Sequence, residues 1–212
     1  MEVIKYADQT ADRILIQAVD DYGLKTMEQE IAQIRSLTNR SFGLIAIRVD
    51  DWNRDLSPWK APAVFGKEDF GGDAGRTLLE VQKVCTDQSK TYYIGGYSLA
   101  GLFALWAACE TDLFAGVAAA SPSVWYPGFV DYIKKQKPKC NTVYLSLGDR
   151  EEKTKNQVMG RVGDCIRECY AFFSEWGTDC TLEWNPGNHF RDADLRTARA
   201  FGSLLGGGCS NR

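Results

Sequence analysis

A serine flanked by small residues stands at the junction of two runs of different character, in the segment Gly96-Tyr97-Ser98-Leu99-Ala100-Gly101. A β-rich run, residues 91–95, precedes it, and apolar residues at helical spacing follow from residue 99 onward. A sharp strand-to-helix turn that exposes a serine hydroxyl needs small neighbours, because bulky side chains would block the bend. The segment therefore predicts a nucleophile elbow with Ser98 as candidate nucleophile. The simpler interpretation is a serine that caps an ordinary helix.

The chain contains one histidine, His189, in the segment Asn185-Pro186-Gly187-Asn188-His189-Phe190. A serine hydroxyl is a weak nucleophile until a base removes its proton, and imidazole is the most frequent base for this task. His189 is therefore the candidate general base. It follows a short predicted strand and a Pro-Gly turn, and the chain order serine, carboxylate, histidine is one on which hydrolytic triads are built.

Short apolar runs alternate with helical patterns along the whole chain. The predicted strands cover residues 14–19, 44–49, 91–95, 116–120, 142–147 and 181–184, and helical patterns include residues 24–34, 78–84 and 192–205. This alternation predicts an α/β protein with a mostly parallel central sheet and helices on both faces. In such a sheet the loops after the strands meet at one edge, where ligands bind.

Size and charge favour an ordinary globular protein. The 212 residues suffice for one domain, which we expect to span residues 1–212. A net charge of −3 gives no electrostatic reason to expect nucleic acid or an anionic membrane as a partner. Because the sequence shows neither a signal-peptide pattern nor a long uninterrupted apolar stretch, we expect a cytoplasmic protein.

Seven cysteines are scattered along the chain without a C-x-x-C pair: Cys85, Cys109, Cys140, Cys165, Cys169, Cys180 and Cys209. The odd number and the spacing argue against a disulfide framework and for a reducing compartment. Cys165 and Cys169 lie one helical turn apart, where small apolar side chains suit a packed face. With one histidine and no further ligand cluster, we expect neither a metal site nor a cofactor.

Several of these segments resemble the esterase group of α/β-hydrolases that includes esterase D and the enterochelin-type siderophore esterases. The resemblance spans most of the chain and rests on the elbow at Ser98, on Ser121-Pro122-Ser123-Val124-Trp125-Tyr126, and on residues 54–58, 70–74, 147–151 and 187–190. It implies an α/β-hydrolase fold with a shortened N-terminus, and hydrolysis of small-molecule carboxylic esters through an acyl-enzyme. The group spans siderophores, thioesters and carbohydrate-linked esters, so no single substrate is implied.

The fold also implies which backbone amides bind the negative oxygen of a tetrahedral intermediate. One is the amide of Leu99, directly after the nucleophile, and the other comes from the loop that follows residue 49. Trp52 is the candidate for the second donor, with Asp51 as the alternative. The His-Gly-Gly-Gly oxyanion segment of lipases does not occur in the chain.

The acid that orients the histidine is expected in the loop after residue 147. Related hydrolases often place this carboxylate three residues after a glycine that ends the strand, and Gly148 and Glu151 have that spacing. Glu151 is therefore the candidate acid, with Asp149 next. Glu151 and Glu152 could instead begin a helix, where acidic residues are favourable. A dyad of Ser98 and His189 without an acid is the third alternative.

Two further residues are candidates for substrate binding. Trp125 follows a predicted strand and could line an apolar pocket, as could Trp52, Trp59 and Tyr126, although packing of the loops explains aromatic residues equally well. Arg54 could bind a substrate carboxylate or catechol-like oxygen, or could pair with Asp51 or Asp55. The leading expectation is a serine esterase of unknown oligomeric state. An acyltransferase on the same fold and a catalytically silent binding scaffold are the alternatives.

Overall fold

The computed structural model describes residues 1–206, and Cys209 lies outside this part. In chain order the strands are β1 (Glu2–Ala7), β2 (Arg13–Val19), β3 (Gly43–Arg48), β4 (Lys60–Ala61), β5 (Phe70–Gly71), β6 (Thr91–Tyr97), β7 (Phe114–Ala120), β8 (Thr142–Gly148) and β9 (Asp179–Asn185). The helices are α1 (Asp21–Leu37), α2 (Trp52–Asp55), α3 (Ala74–Val84), α4 (Leu99–Glu110), α5 (Phe129–Ile133), α6 (Val162–Glu175) and α7 (Ala193–Leu204), and a 3-10 turn covers Met159–Arg161.

Seven strands form one sheet in the order β1-β3-β2-β6-β7-β8-β9, and β4 and β5 form a separate short ribbon. Strand β1 runs antiparallel to β3, and all other neighbours in the large sheet pair in parallel. The predicted α/β fold with a mostly parallel sheet is confirmed. All six predicted strands are present, with ends shifted by at most two residues.

The sequence analysis did not predict β1. This strand pairs along its whole length with β3, yet only one side of the pair carries apolar residues toward the protein, and Glu2, Val3 and Lys5 are exposed. An edge strand with half of its side chains in water lacks the continuous apolar run that marked the buried parallel strands. The strands β4 and β5 have two residues each, which is too short for a recognisable apolar pattern.

Helices cover both faces of the sheet. On one face α1 and α7 pack on each other, while α7 also packs on β7 and α1 on β2 and β3. Met27, Ile31 and Phe201 are fully buried there. On the other face α4 packs on β6 and β7, and α6 packs on β8 and β9. Helix α4 is buried on nearly all sides, since every residue from Leu99 to Cys109 is enclosed. A helix that is apolar all round belongs inside a protein, so the element after Ser98 is firmly held.

Because β2, β3 and β6 to β9 are parallel, their carboxyl ends lie at one edge of the sheet. The loops that carry Trp52, Ser98, Glu151 and His189 all leave from this edge. The six cysteines within residues 1–206 are free thiols, and five of them are buried. No helix in the described range is long and apolar enough to cross a membrane.

Candidate active site

Ser98 occupies the turn between β6 and α4 in a conformation that few residues adopt. Its backbone has φ 58° and ψ −121°, a combination that is costly for a residue with a side chain and must be imposed by its surroundings. Its amide donates to the carbonyl of Ala120 at 3.1 Å, and its carbonyl accepts from the amide of Ser123 at 3.0 Å. A Cβ at Gly96 would lie 2.7 Å from the Cβ of Ala100, so the bend needs glycine there. The strained turn presents the hydroxyl at the sheet edge.

His189 lies between Ser98 and an acidic side chain. Its Nε2 is 3.0 Å from Ser98 Oγ, and its Nδ1 is 2.7 Å from Glu151 Oε2. A carboxylate can only accept, so Nδ1 carries the proton and Nε2 is left to accept from the serine hydroxyl. The Tyr97 hydroxyl donates to the His189 carbonyl at 2.6 Å and so holds the loop between β9 and α7. Burial raises the pKa of Tyr97 to about 12, which keeps this donor protonated.

Glu151 is the carboxylate that the structure brings to His189. The other oxygen of this side chain, Oε1, accepts from the amide of Gly148 at 2.8 Å and from the hydroxyl of Ser121 at 2.7 Å. Burial raises the pKa of Glu151, but the hydrogen bonds from His189 and from these donors outweigh it and leave the pKa below its ordinary value. The carboxylate is therefore ionised at neutral pH.

The two alternative acids have other partners. Asp149 accepts from the amide of Gly187 at 2.7 Å and so ties the β8 loop to the loop that carries His189. Glu152 lies 3.4 Å from the guanidinium of Arg167 in a partly exposed ion pair. Neither contact reaches the imidazole. Of the three acidic residues considered from the sequence, Glu151 is thus the one whose carboxylate contacts His189.

Arg196 of α7 joins the acid to the histidine loop, and the sequence analysis missed it. Its side chain is 1% exposed, and Nη1 donates to Glu151 Oε1 at 2.9 Å. The Nη2 atom donates to the carbonyls of Pro186 and Asn188, both at 3.1 Å. One buried guanidinium thus holds both loops in place, with a charge that balances the carboxylate. An arginine within an amphipathic helical pattern is usually solvent-exposed, so this pattern offers little signal for such a role.

Asp55, at the end of α2, organises the loop after β3. Its side chain is fully buried and accepts from the amides of Asp50 at 3.1 Å and Asp51 at 3.0 Å, and from Arg54 Nε at 2.8 Å. Burial raises the pKa of Asp55, and the hydrogen bonds, first that of Arg54, reverse the shift and lower it overall. The amide of Asp51 is thereby occupied.

The amides of Trp52 and Leu99 are differently placed. Each begins a helix, where the first backbone N–H groups have no carbonyl partner within the helix. Within residues 1–206 neither amide donates to a protein acceptor. These two N–H groups, one next to Ser98 and one on the neighbouring loop, are therefore available to a ligand.

The comparisons with known proteins identify the fold. No family model matches the chain, and no curated protein matches it. Among solved structures, siderophore hydrolase EstA from Aspergillus nidulans has a TM-score of 0.66 at 18% identity, over 92% of this chain and 82% of that one. A carboxylesterase from Bacillus cereus has a TM-score of 0.62 at 12% identity, over 97% of this chain and 94% of that one.

The enterobactin esterase FES from Shigella flexneri has a TM-score of 0.63 at 15% identity, over 96% of this chain and 55% of that one. The chain has the α/β-hydrolase fold. The chain spans about half the length of that enterobactin esterase. The similar structures include siderophore, enterobactin and carboxyl esterases, the group that the sequence segments resemble.

Two cavities flank the imidazole in this α/β-hydrolase fold. The larger has a volume of about 730 Å³ and is lined by Ser98, His189 and Trp52 together with residues of β2, α1 and α7. The smaller, of about 210 Å³, is lined by His189, Trp125 and Met159. Trp125, a candidate pocket residue in the sequence analysis, thus lines the same cavity as His189.

The other candidate binding residues are held by protein contacts. Arg54 is paired with Asp55, and its guanidinium also lies 3.8 Å from Asp51 and from Asp73. This is the structural role that the sequence offered as the alternative to substrate binding. Trp59 donates through Nε1 to the carbonyl of Pro127, and Tyr126 donates to the carbonyl of Trp59, so these two rings pack the loops together.

In residues 1–206 no group of three or more histidine, cysteine, aspartate or glutamate side chains could hold a metal ion.

A buried carboxyl group in the larger cavity leads to a prediction about stability. Burial, and to a lesser degree the charge of Asp194, raises the pKa of Glu30 to about 8, against 4.5 for an ordinary glutamate. Between these two pH values the unfolded chain has lost the proton that the folded chain keeps, so stability falls as pH rises from about 4.5 to about 8. Glu30→Gln removes this linkage. Urea unfolding measures the free energy of unfolding of both proteins at pH 5 and pH 8. The difference, variant minus parent, should increase by on the order of 3 kcal/mol from pH 5 to pH 8. An equal difference at both pH values would contradict the raised pKa.

Proposed function

We propose that this protein is a serine hydrolase that cleaves carboxylic esters through an acyl-enzyme on Ser98. The observation that carries the proposal is the continuous hydrogen-bonded path from Ser98 Oγ to His189 Nε2, 3.0 Å, and from His189 Nδ1 to Glu151 Oε2, 2.7 Å. The strained conformation of Ser98 supports it, because such strain is kept where a nucleophile must be exposed.

The reaction follows from these contacts. The Ser98 hydroxyl passes its proton to His189 Nε2 while its oxygen forms a bond to the ester carbonyl carbon. When the tetrahedral intermediate collapses, the bond to the alcohol oxygen breaks and Nε2 returns the proton to that oxygen. Water then repeats the sequence: it gives a proton to Nε2, attacks the acyl carbon and releases the acid, and Ser98 recovers its proton. Glu151 stabilises the imidazolium in both halves.

The negative oxygen of each intermediate needs donors that are in place before the reaction. We assign this role to the amides of Leu99 and Trp52, which have no protein acceptor within residues 1–206. Donors fixed at a site of developing charge are often the largest single contribution to catalysis. Asp55 is a positioning residue for this oxyanion hole, the pair of amides of Leu99 and Trp52, because its carboxylate accepts from the two amides that precede Trp52.

The positioning role of Asp55 predicts a defined kinetic change. Asp55→Asn keeps the shape of the side chain but gives up the charge that holds two amides and Arg54, so kcat for a neutral ester should fall roughly tenfold to a hundredfold while KM changes little. Steady-state kinetics on folded protein, verified by near-UV circular dichroism, measures this. The matched control is Asp73→Asn, which removes only the 3.8 Å contact to Arg54. Equal kcat values for Asp55→Asn and the parent would refute the assignment.

Esters are the proposed substrates because the similar solved structures are named as esterases and a siderophore hydrolase. The test is a hydrolysis screen over aryl acetates, longer acyl esters, feruloyl-sugar esters and siderophore esters, each compared with the Ser98→Ala variant. Hydrolysis that depends on Ser98 in at least one class supports the proposal. Turnover no greater than that of Ser98→Ala in every class would overturn it. Addition of an acceptor alcohol shows whether the acyl group passes to water or to another hydroxyl.

A further inference from the structure

The larger cavity beside Ser98 has an unusual balance of charge. Four carboxyl groups line it: Asp20, Glu30, Asp192 and Asp194. Among the described residues that line it there is no lysine or arginine. Besides His189 and Trp52, the remaining polar side chains are hydroxyls and amides such as Thr26, Gln29 and Thr197. A concave site walled by one sign of charge concentrates ligands of the other sign.

Two buried polar side chains in this cavity each keep one oxygen without a hydrogen-bond partner. Gln17 of β2 is 5% exposed and Glu30 of α1 is 4% exposed, and both line the cavity. They contact each other at 3.3 Å through Gln17 Nε2 and Glu30 Oε2. Gln17 Oε1 and Glu30 Oε1 have no hydrogen-bond partner within residues 1–206. Buried polar atoms are nearly always paired, so these two orphaned oxygens indicate a missing hydrogen-bond donor.

The protonation of Glu30 agrees with a site of negative potential. Burial raises its pKa to about 8, and the neighbouring charge of Asp194 contributes in the same direction. A cation brought against Glu30 would reverse both effects, because it favours the ionised carboxylate. The group is thus arranged to give up its proton when a positive ligand arrives.

The smaller cavity, which His189 also lines, differs in charge, because Glu151 is the one carboxyl group among the described residues that line it. Its lining includes Arg150 and Lys153 with Trp125, Met159 and Val162. An ester bound at Ser98 extends in two directions from its carbonyl carbon, toward the acyl group and toward the alcohol. The two cavities therefore offer chemically different places to its two halves.

We propose that the larger cavity binds a protonated amine carried by one half of the ester substrate, with Glu30 and Gln17 as its ligands at the wall and Asp194 nearby. The inference rests on the proposed esterase function and names the substrate class of the same site. An ammonium group supplies three N–H donors and a positive charge, which matches two orphaned oxygen acceptors in a cavity lined by four carboxyl groups. A hydroxyl supplies one O–H donor, enough for one of the two oxygens, and no charge.

Binding can be measured without any turnover. In the Ser98→Ala protein at pH 7, titration calorimetry with hexylammonium and with 1-hexanol should show hexylammonium binding at least about tenfold more tightly, as expected for a charge-assisted hydrogen bond. Adding Glu30→Gln to that protein should remove most of this preference. The matched control is Glu28→Gln, an exposed residue on the same helix that does not line the cavity. Equal binding of amine and alcohol would overturn the inference.

Turnover gives an independent readout. The ratio of kcat/KM for p-nitrophenyl 6-aminohexanoate over p-nitrophenyl heptanoate, and for 6-aminohexyl acetate over heptyl acetate, should exceed about ten in one of the two series. Glu30→Gln should lower that ratio about tenfold, Asp194→Asn should lower it less, and Glu28→Gln should leave it unchanged. Hydrolysis of the neutral esters with no preference for the amine in either series refutes the inference alone. Absence of Ser98-dependent hydrolysis of every ester refutes the proposed function, and the calorimetry then still decides whether the cavity binds amines.

Discussion

Replacing Ser98 with alanine is expected to lower kcat for a good ester substrate by roughly five to six orders of magnitude. The variant keeps the fold, because the hydroxyl contributes only its contacts to His189 Nε2 and to Ser123 Oγ, at 3.0 Å and 3.2 Å. Without Oγ there is no atom to carry the acyl group, so only the oxyanion donors and substrate binding remain to accelerate attack by water. Initial rates with a chromogenic ester measure the loss.

Two companion variants define the outcome. His189→Ala should lose nearly as much as Ser98→Ala, and the double variant should lose no more than either, because the two side chains act as one unit. Ser123→Ala is the matched control, since it removes a hydroxyl 3.2 Å from Ser98 Oγ that has no part in the proton path. Losses in the two single variants that add up in the double variant would show that the residues do not cooperate. A loss in Ser123→Ala as large as in Ser98→Ala would point to a different nucleophile.

The second large effect is expected for the acid. Glu151→Gln should lower kcat about a thousandfold to ten-thousandfold, because the neutral amide neither stabilises the imidazolium nor secures the tautomer with the proton on Nδ1. The matched controls are Asp149→Asn and Glu152→Gln, whose carboxylates contact Gly187 and Arg167 instead of the imidazole. If Asp149→Asn is the crippling change, the observed hydrogen bond between Glu151 and His189 is not the functional one. If all three variants stay within a few fold of the parent, a dyad of Ser98 and His189 is the better account.

The same substitution should also weaken the fold. Glu151→Gln leaves the buried guanidinium of Arg196 without its 2.9 Å carboxylate partner, and breaking a buried ion pair from one side typically costs about 3 to 5 kcal/mol. Because the pKa of Glu151 is lowered in the folded protein, the stability from its ionised form is present above the ordinary pKa and is lost as pH falls through the lowered value. Kinetics on Glu151→Gln therefore belong at a temperature where circular dichroism shows the variant folded.

The parts of this protein that could be predicted from sequence are those set by local rules. A serine between small residues at a strand-to-helix junction, a single histidine and a glycine-spaced glutamate each leave a pattern in the residues around them. Short apolar runs likewise marked the buried strands β2, β3, β6, β7 and β8, whereas β9 lies at the sheet edge and is mostly not buried. The structure places Ser98, His189 and Glu151 within hydrogen-bond distance of one another in series.

What could not be predicted depends on contacts between distant segments. Arg196 reaches Glu151 across 45 positions of sequence, and the orphaned pair of Gln17 and Glu30 forms only when α1 packs on β2. An arginine or glutamate in a helical pattern is usually solvated, so its burial cannot be predicted without knowing how the helices pack. Asp55 was recognised only as a partner for Arg54. Its hydrogen bonds to the backbone amides of the loop after β3 exist only in the folded turn.

The most direct test of the central claim is covalent labelling of the nucleophile with a fluorophosphonate, read by intact mass and peptide mapping. The account predicts one adduct per chain, on Ser98, formed rapidly by the folded parent, slowly by His189→Ala and not at all by Ser98→Ala or by urea-unfolded protein. Labelling depends on an activated serine and not on the identity of the natural ester. An unlabelled folded parent, or an adduct that maps to any other residue, would contradict the assignment of Ser98 as the activated nucleophile.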